Sequence, residues 1–318
     1  MFDIFPNYWT PVLPVGELDE SPVSVILAGE QIVLFRTQSG EIRALRDRCS
    51  HRSVALSLGR VTSNGCLECP YHGWQFNGDG ACVHVPFNDV NKINLSRLAV
   101  SSFPCQVIAG CVWIFTGESK PPALQVPDSL KLPNTAYYIH QEIWNTHWTR
   151  VIEANLDFVH LPFVHRQTFG QVAQSALESG DILNFKIEDS GDRIEVFAPY
   201  KNVPPTFALE WHQPNLVVVK FDDMGFPVKR EHFFAVPINE HQTQCTIILH
   251  MAEGMDIQTQ QFAAQEFIKP LLEDRVVIES QLGEIPLLAE ECHVTTDKPT
   301  LLFRRWYHQT IARQPMLR

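Results

Sequence analysis

Two short stretches near the start of the chain, RCSHR at residues 48–52 and CPYHGWQF at residues 69–76, decide its fold. Each stretch places one cysteine and one histidine within a few residues of each other. The four side chains are Cys49 and His51 in the first stretch, and Cys69 and His72 in the second. Two thiolates and two imidazoles on two short turns can ligate one metal assembly. In a [2Fe–2S] cluster, one iron would take the two cysteines and the other iron the two histidines.

A cysteine–histidine quartet is also typical of structural zinc. The zinc patterns, however, pair like residues with like, as in Cys-x(2–4)-Cys and His-x(3–5)-His. Here each half combines one cysteine with one histidine at short, unequal spacing, which favours the iron–sulfur interpretation. Imidazoles in place of two thiolates remove negative charge from a cluster and raise its reduction potential. The pattern therefore predicts a cofactor that delivers electrons to another group.

The two stretches, with Gly78 and Gly80 in the turn that follows, resemble the Rieske [2Fe–2S] domain of ring-hydroxylating oxygenases. One minor departure from the family pattern is Ser53, soon after the first histidine. The resemblance implies a Rieske cluster held by the four residues named above.

Length, composition and charge exclude several other classes. The 318 residues are enough for two domains, each with its own core. No apolar run approaches the ~20 residues of a membrane span, and the net charge of −11 argues against a nucleic-acid partner. The start lacks the basic region and apolar core of a signal peptide, so we expect a cytoplasmic protein. The six remaining cysteines are then expected to be reduced core thiols: Cys66, Cys82, Cys105, Cys111, Cys245 and Cys292.

Residues 1–118 consist of short apolar runs separated by turn residues, a pattern that predicts a small antiparallel β domain. The predicted strands are residues 23–27, 31–35, 41–45, 106–108 and 112–115. Residues 119–135 contain four prolines, Pro121, Pro122, Pro127 and Pro133, which cannot lie inside a helix or a central strand. This segment is the predicted linker to a second domain at residues 136–318.

The second domain is predicted to contain an antiparallel sheet between two helices. The predicted helices are residues 145–160 and 257–282, and the predicted strands are residues 182–187, 193–197, 216–221, 230–236 and 244–250. A curved sheet that grips a long C-terminal helix encloses a cavity, and the resemblance implies the same helix-grip (START-like) architecture for the catalytic domain. The fold class is therefore α+β.

A second metal site is indicated by the stretch EANLDFVHLPFVH at residues 153–165. His160 and His165 would point about 140° apart on a regular helix, because each residue turns the helix by ~100°. Pro162 lies between them and should break or kink the helix, so that His165 turns back toward His160. Two histidines in a buried turn would be the simpler explanation. The spacing Asp157-x-x-His160-x4-His165 resembles the mononuclear non-haem iron site of the Rieske oxygenases.

Such a site needs one carboxylate to complete a 2-His-1-carboxylate face. The long helix offers Glu273 and Asp274 side by side. Asp274 falls on an apolar stripe with Phe267, Leu271, Ile278 and Leu282, where an acid is costly unless it binds a cation. Glu273 falls on a more polar face with Glu266, Lys269 and Ser280. Asp274 is the predicted third ligand, and an acid shortly before residues 277–281 also fits the family.

Asp157 lies one turn before His160 and is placed to accept the second N–H of that imidazole. The resemblance implies a further role for Asp157, in which it bridges to a cluster histidine of a neighbouring protomer in a head-to-tail homotrimer. Electrons would then pass from the cluster through Asp157 to His160. Asn155 either lines the iron site or caps a local turn.

The resemblance implies an oxidoreductase of the Rieske monooxygenase type, with O2 as cosubstrate, that hydroxylates or O- or N-demethylates a small organic molecule. A cis-dihydroxylating dioxygenase is one alternative. An electron carrier or sensor whose second domain binds a ligand without iron is another, and a scaffold with zinc at both sites is a third. In length the chain resembles the shorter Rieske monooxygenases and demethylases, such as vanillate O-demethylase, and the stretch FRRW at residues 303–306 resembles the saxitoxin-pathway hydroxylases.

The electrons must come from another protein, because no Gly-x-Gly-x-x-Gly follows a predicted strand. We expect a ferredoxin or an NAD(P)H-dependent reductase. Five arginines form a locally basic segment that either docks an acidic donor or is a plain solvated loop: Arg43, Arg46, Arg48, Arg52 and Arg60.

Overall fold

The computed structural model describes residues 2–89, 92–117, 120–132, 136–221, 223–281, 283–285 and 291–312. The chain divides into two compact units, Met1–Val126 and Pro127–Arg318. The division falls inside the proline-rich segment 119–135, of which Pro133 lies outside the described residues. The domain bounds drawn from the sequence stay a prediction.

The described residues of the N-terminal unit form three antiparallel sheets, ordered β1-β11-β10, β2-β3-β4-β9 and β5-β6-β7-β8. The strands are β1 (Trp9–Pro14), β2 (Val23–Leu27), β3 (Glu30–Arg36), β4 (Ile42–Arg46), β5 (Arg60–Val61), β6 (Leu67–Glu68), β7 (Gln75–Phe76), β8 (Cys82–His84), β9 (Ser102–Phe103), β10 (Cys105–Ile108) and β11 (Cys111–Phe115). All five strands predicted here are present, each within one residue of its predicted ends. One predicted metal-binding stretch follows β4, and the other joins β6 to β7.

The described residues of the C-terminal unit form a seven-stranded antiparallel sheet, ordered β12-β18-β17-β16-β15-β14-β13, and five α-helices. The strands are β12 (Tyr137–Trp144), β13 (Ile187–Asp189), β14 (Arg193–Phe197), β15 (Ala208–His212), β16 (Leu216–Lys220), β17 (Val228–Asn239) and β18 (Gln242–Met251). The helices are α1 (Trp148–Asn155), α2 (Leu161–Val164), α3 (Gln171–Ser179), α4 (Ile257–Ile278) and α5 (Lys298–Thr310). Helix α4 packs on β12 and β17, which confirms the α+β class with a helix held against a sheet. None of the described helices is long and apolar enough to cross a membrane.

Two predicted elements in this unit are wrong, and two strands are missing from the prediction. The strand predicted at 182–187 is only β13, because Gly180 ends α3 in a left-handed conformation (φ +66°) and residues 181–186 follow without regular structure. The strands β12 and β15 were not predicted. Polar residues obscure β12, which forms an edge of the sheet.

The helix predicted at 145–160 is also too long, since α1 spans Trp148–Asn155. Short polar side chains satisfy the backbone locally after that point, because Asn155 donates to the Val151 carbonyl and Asp157 accepts from the Val159 N–H. Helix α4 ends at Ile278, and Leu282 of the predicted stripe lies outside the described residues.

The cysteines outside the two metal-binding stretches are free thiols. Four of them are buried, Cys105 is partly buried, and Cys292 is exposed, so the prediction of a core thiol is wrong for Cys292. The stretch FRRW lies in α5, where Arg304 is buried and pairs with Glu153 and Glu291. That stretch therefore anchors α5 within its unit.

Candidate metal sites

Three predicted ligands of the C-terminal unit converge, because the ligand atoms of His160, His165 and Asp274 lie within 4.8 Å of one another. His160 Nε2 lies 3.2 Å from His165 Nε2. Asp274 Oδ1 lies 3.2 Å from His165 Nε2 and 3.5 Å from His160 Nε2. For metal–ligand distances of about 2.1 Å and right angles at the metal, neighbouring ligand atoms lie about 3 Å apart. The three side chains therefore fit one face of an octahedral metal ion.

The two histidines meet because the chain leaves α1 at Leu156, earlier than the break predicted at Pro162. His160 then begins a new turn, in which its carbonyl accepts the Val164 N–H. Pro162 lies in the first turn of α2, where its missing N–H costs no hydrogen bond. His165 follows that turn at once, so both imidazoles end up on the same side of the backbone.

Glu273 fixes the orientation of His165, which the sequence analysis missed. Its Oε2 lies 2.9 Å from His165 Nδ1 and accepts the Thr168 hydroxyl at 2.7 Å. A carboxylate on one ring nitrogen fixes the tautomer that presents the other nitrogen to a metal. Burial works against protonation of His165, but the hydrogen bonds that its ring donates to the Asp274 and Glu273 carboxylates raise its pKa. The sequence places Glu273 on a different helix face from Asp274, but no local signal shows that His165 lies against that face.

Asp157 and Asn155 both lie beside this site. Asp157 Oδ2 is 3.6 Å from His160 Nδ1, too long for a hydrogen bond, while its Oδ1 accepts the Val159 N–H at 2.7 Å. Asn155 donates to the Val151 carbonyl at 2.9 Å and also lines the adjoining cavity. The position of Asn155 is therefore compatible both with lining the iron site and with capping a local turn.

The triad opens onto a cavity between α4 and the sheet. Its wall is mainly apolar and includes five phenylalanine rings: Phe158, Phe169, Phe207, Phe221 and Phe267. The wall also contains Glu231, a buried carboxyl group that the sequence analysis did not single out. Pro270 lies inside α4 and faces the same space. The cavity can hold a small, largely apolar molecule against the triad.

In the N-terminal unit, the four predicted cluster ligands come together. The rings of His51 and His72 lie 4.7 Å apart and are exposed, whereas Cys49 and Cys69 are buried in the apolar core. Burial, and then the hydrogen bond to Cys69, raises the pKa of the Cys49 thiol to about 11. Two adjacent buried thiols are costly to ionise unless a metal compensates the charge. The donor set fits a [2Fe–2S] cluster with its histidine-ligated iron toward solvent.

The two cluster loops have matching turns. The Ser53 N–H donates to the Cys49 carbonyl, and the Gly73 N–H donates to the Cys69 carbonyl. Both residues are left-handed, with φ +57° at Ser53 and +69° at Gly73, so the departure at Ser53 places a non-glycine residue in a conformation that glycine favours. The ring of Trp74 stacks on His51 at 4.5 Å.

Asp47 ties the first loop to the sheet beneath it, and the sequence analysis missed this as well. The carboxylate is buried and accepts the Ser57 N–H at 2.7 Å, the Ser57 hydroxyl at 2.6 Å and the Ser24 hydroxyl at 2.7 Å. These bonds close the loop that carries Cys49 and His51.

Three of the five arginines proposed for donor docking pair with acids of the same unit. Arg43 lies 2.8 Å from Glu41, Arg46 3.2 Å from Glu30, and Arg60 2.8 Å from Glu68. Arg48 and Arg52 are exposed and have no acidic partner among the residues that the structure describes. The positive charge available for docking is therefore concentrated at these two residues, beside Cys49 and His51.

Comparison with known proteins shows the family of this chain. Residues 8–104 match the Rieske [2Fe-2S] domain. Methylxanthine N3-demethylase NdmB of Pseudomonas putida is 30% identical over 326 residues, which cover 95% of this chain and 88% of the relative. The chain belongs to the Rieske non-haem iron oxygenases. Methylxanthine N1-demethylase NdmA of the same species is 29% identical over 321 residues, with the same two coverages.

Solved structures of Rieske oxygenases have the same fold. NdmA of Pseudomonas putida CBB5 superposes with a TM-score of 0.76 at 26% identity, covering 94% of this chain and 88% of that one. Dicamba monooxygenase bound to dicamba superposes with a TM-score of 0.77 over 97% of both chains, although its 21% identity shows the fold alone. The predictions of a Rieske-type monooxygenase, of its fold, and of a Rieske cluster with a mononuclear iron are confirmed. Rieske oxygenases act on small substrates and work with electron-transfer partners.

Proposed function

We propose that this Rieske oxygenase hydroxylates or demethylates a small organic substrate held in the cavity between α4 and the sheet. The observation that carries the proposal is the convergence of His160, His165 and Asp274 at the edge of that cavity. Methylxanthine demethylases among the relatives support demethylation. The convergent triad argues against an electron carrier or sensor without iron in the second unit.

His160, His165 and Asp274 would hold the iron, and Cys49, His51, Cys69 and His72 the cluster. When bound, the two groups supply the activation of O2, which otherwise reacts slowly with organic molecules. Glu273 keeps the His165 imidazole in the tautomer that presents Nε2. The phenylalanine rings exclude water and surround an apolar substrate.

A separate ferredoxin or NAD(P)H-dependent reductase would donate electrons to the exposed side of the cluster site, at His51 and His72. Arg48 and Arg52 would help to dock that donor. Asp157 would relay electrons to His160 from a neighbouring protomer of a homotrimer, and its partly exposed carboxylate beside His160 supports that role. The cytoplasmic location stays a prediction from the sequence.

Asp274→Ala tests the iron site directly. The variant should keep the absorption and EPR spectra of the cluster, lose the third iron of each chain, and lose substrate-dependent consumption of NAD(P)H and O2. Methoxylated aromatics and N-methyl compounds are the substrates to screen. Glu266→Ala is the matched control, because Glu266 lies on the same helix and pairs with Lys269 at the surface. Retention of the third iron with full activity in Asp274→Ala would overturn the assignment.

A further inference from the structure

Glu231 is a buried carboxyl group in the wall of the substrate cavity. It lies within β17, opposite Val219 of β16 and Leu249 of β18, and only 6% of the residue is exposed. The cavity around it is otherwise lined mainly by aliphatic side chains and by the five phenylalanines named above. An acid in such surroundings is costly unless it gains a partner.

Within the described part of the chain, the Glu231 carboxyl group makes no hydrogen bond or ion pair. Two other buried glutamates on the same sheet are paired, because Lys220 lies 2.7 Å from Glu195 and 3.2 Å from Glu210. Burial, reinforced by the charge of Asp274, raises the pKa of Glu231 to about 8. The carboxyl group therefore adds nothing evident to folding, and its hydrogen-bonding capacity is free for a molecule in the cavity.

We propose that Glu231 selects substrates that carry an N–H donor, either an ammonium or a neutral N–H group, on an apolar body. This inference rests on the proposed function, which makes the cavity the substrate site. The phenylalanine rings suit both parts of such a molecule, because they bury apolar area and their faces attract cations. Once the carboxyl group is ionised, a substrate without a donor leaves it unpaired, and buried polar groups left unpaired discriminate strongly between ligands.

Anaerobic calorimetry on the holoenzyme, at a pH above 8 where the Glu231 carboxyl group is ionised and the amine probe is still an ammonium, tests this without turnover. Three probes of similar size are compared: N-methylbenzylamine as the ammonium, N-methylbenzamide as the neutral N–H donor, and benzyl methyl ether as the molecule without a donor. The wild type should bind the amine at least about tenfold more tightly than the ether, with the amide between them.

Two variants separate charge from hydrogen bonding. Glu231→Leu should lose the preference for both N–H probes and bind the ether at least as well as the wild type does. Glu231→Gln should keep the preference for the amide, because the side-chain oxygen still accepts, and lose the advantage of the amine. Glu188→Gln makes the same change of charge on exposed β13 outside the cavity wall and should leave all three affinities unchanged.

The proposal is overturned if the wild type binds the ether as tightly as the amine, or if the amine does not bind at millimolar concentration. It is also overturned if Glu231→Leu keeps the preference while retaining wild-type iron content and cluster absorbance. The proposed function fails on different evidence, namely absence of the third iron or of substrate-dependent O2 consumption. The two failures are therefore distinguishable.

Discussion

The cluster site and the mononuclear iron site are assembled at very different distances along the chain. Cys49, His51, Cys69 and His72 lie on two loops of one small unit, and hydrogen bonds within each loop set their positions. At the other site, His165 meets Glu273 across 108 residues, and the contact depends on how α4 packs. A local site depends on turns, whereas a distant one depends on the helical register and on tertiary packing.

Removing a ligand from only one site should have the largest effect on activity, and it tests whether the two sites are independent. Cys49→Ser should lose the [2Fe–2S] absorbance and at least about a thousandfold of activity, a loss of about 4 kcal/mol in transition-state stabilisation, because the electron supply is removed. The mononuclear iron should stay, at one iron per chain by metal analysis. Cys105→Ser is the control, since Cys105 is a partly buried free thiol outside both sites. Loss of the mononuclear iron together with the cluster would mean that the sites are not independent.

The second largest effect should be that of low pH, which destabilises the C-terminal unit. Burial lowers the pKa of His147 to about 4 and that of His232 to about 3, whereas His51, His72 and His84 of the N-terminal unit are exposed. As the pH falls from about 6.5 toward 4, His147 and His232 become protonated in the unfolded chain but stay neutral in the folded protein. Each should remove on the order of 3 kcal/mol from the free energy of unfolding of the C-terminal unit.

Urea denaturation followed by tryptophan fluorescence at pH 8, 6, 5 and 4 measures this loss. His147→Asn removes one titrating group and keeps a residue that caps α1, where the His147 ring now accepts from Thr149. The variant should lose less stability than the wild type over that pH range. An identical pH dependence of the two proteins would contradict the assignment to His147.

The distant site should also be sensitive to a residue that does not bind metal. Glu273→Ala should weaken iron binding by about 10- to 100-fold, because His165 loses the carboxylate that fixes its tautomer. Iron titration of the reduced protein measures the affinity, and the cluster spectrum should be unchanged. Glu266→Ala again serves as control. Unaltered iron affinity would show that packing alone orients His165.

At the cluster site, Asp47 is the residue that supports the ligands without binding metal, as Glu273 does at the iron site. Its replacement should have the smallest effect of the four changes. Asp47→Asn weakens three hydrogen bonds that close the first cluster loop and should cost about 1 kcal/mol of stability. Thermal bleaching of the cluster absorbance should then occur at a lower temperature, while the mononuclear iron content stays the same. A bleaching temperature equal to that of the wild type would remove Asp47 from the support of the loop.

The sequence predicts what local chemistry determines. Strands β2 and β14 are predicted to the residue, because tight turns lie at their ends. Helical periodicity also distinguishes Asp274 from Glu273, and the structure places Asp274 at the triad. The rest depends on packing between distant segments. Periodicity assigns Glu273 to a polar face but cannot reveal that His165 lies against that face, and nothing local marks Glu231 as a cavity residue.

The adjacent acids of α4 have a consequence for how that helix can vary. Asp274 contacts one nitrogen of the His165 ring and Glu273 the other, so two consecutive residues of the helix hold the two sides of one imidazole. Inserting or deleting one residue just before Glu273 would rotate both carboxylates by about 100°. The metal site and its support would be lost together, even though every ligand remained in the sequence. Changes in the length of this chain should therefore be tolerated in its surface loops and not in the segment of α4 that precedes Glu273.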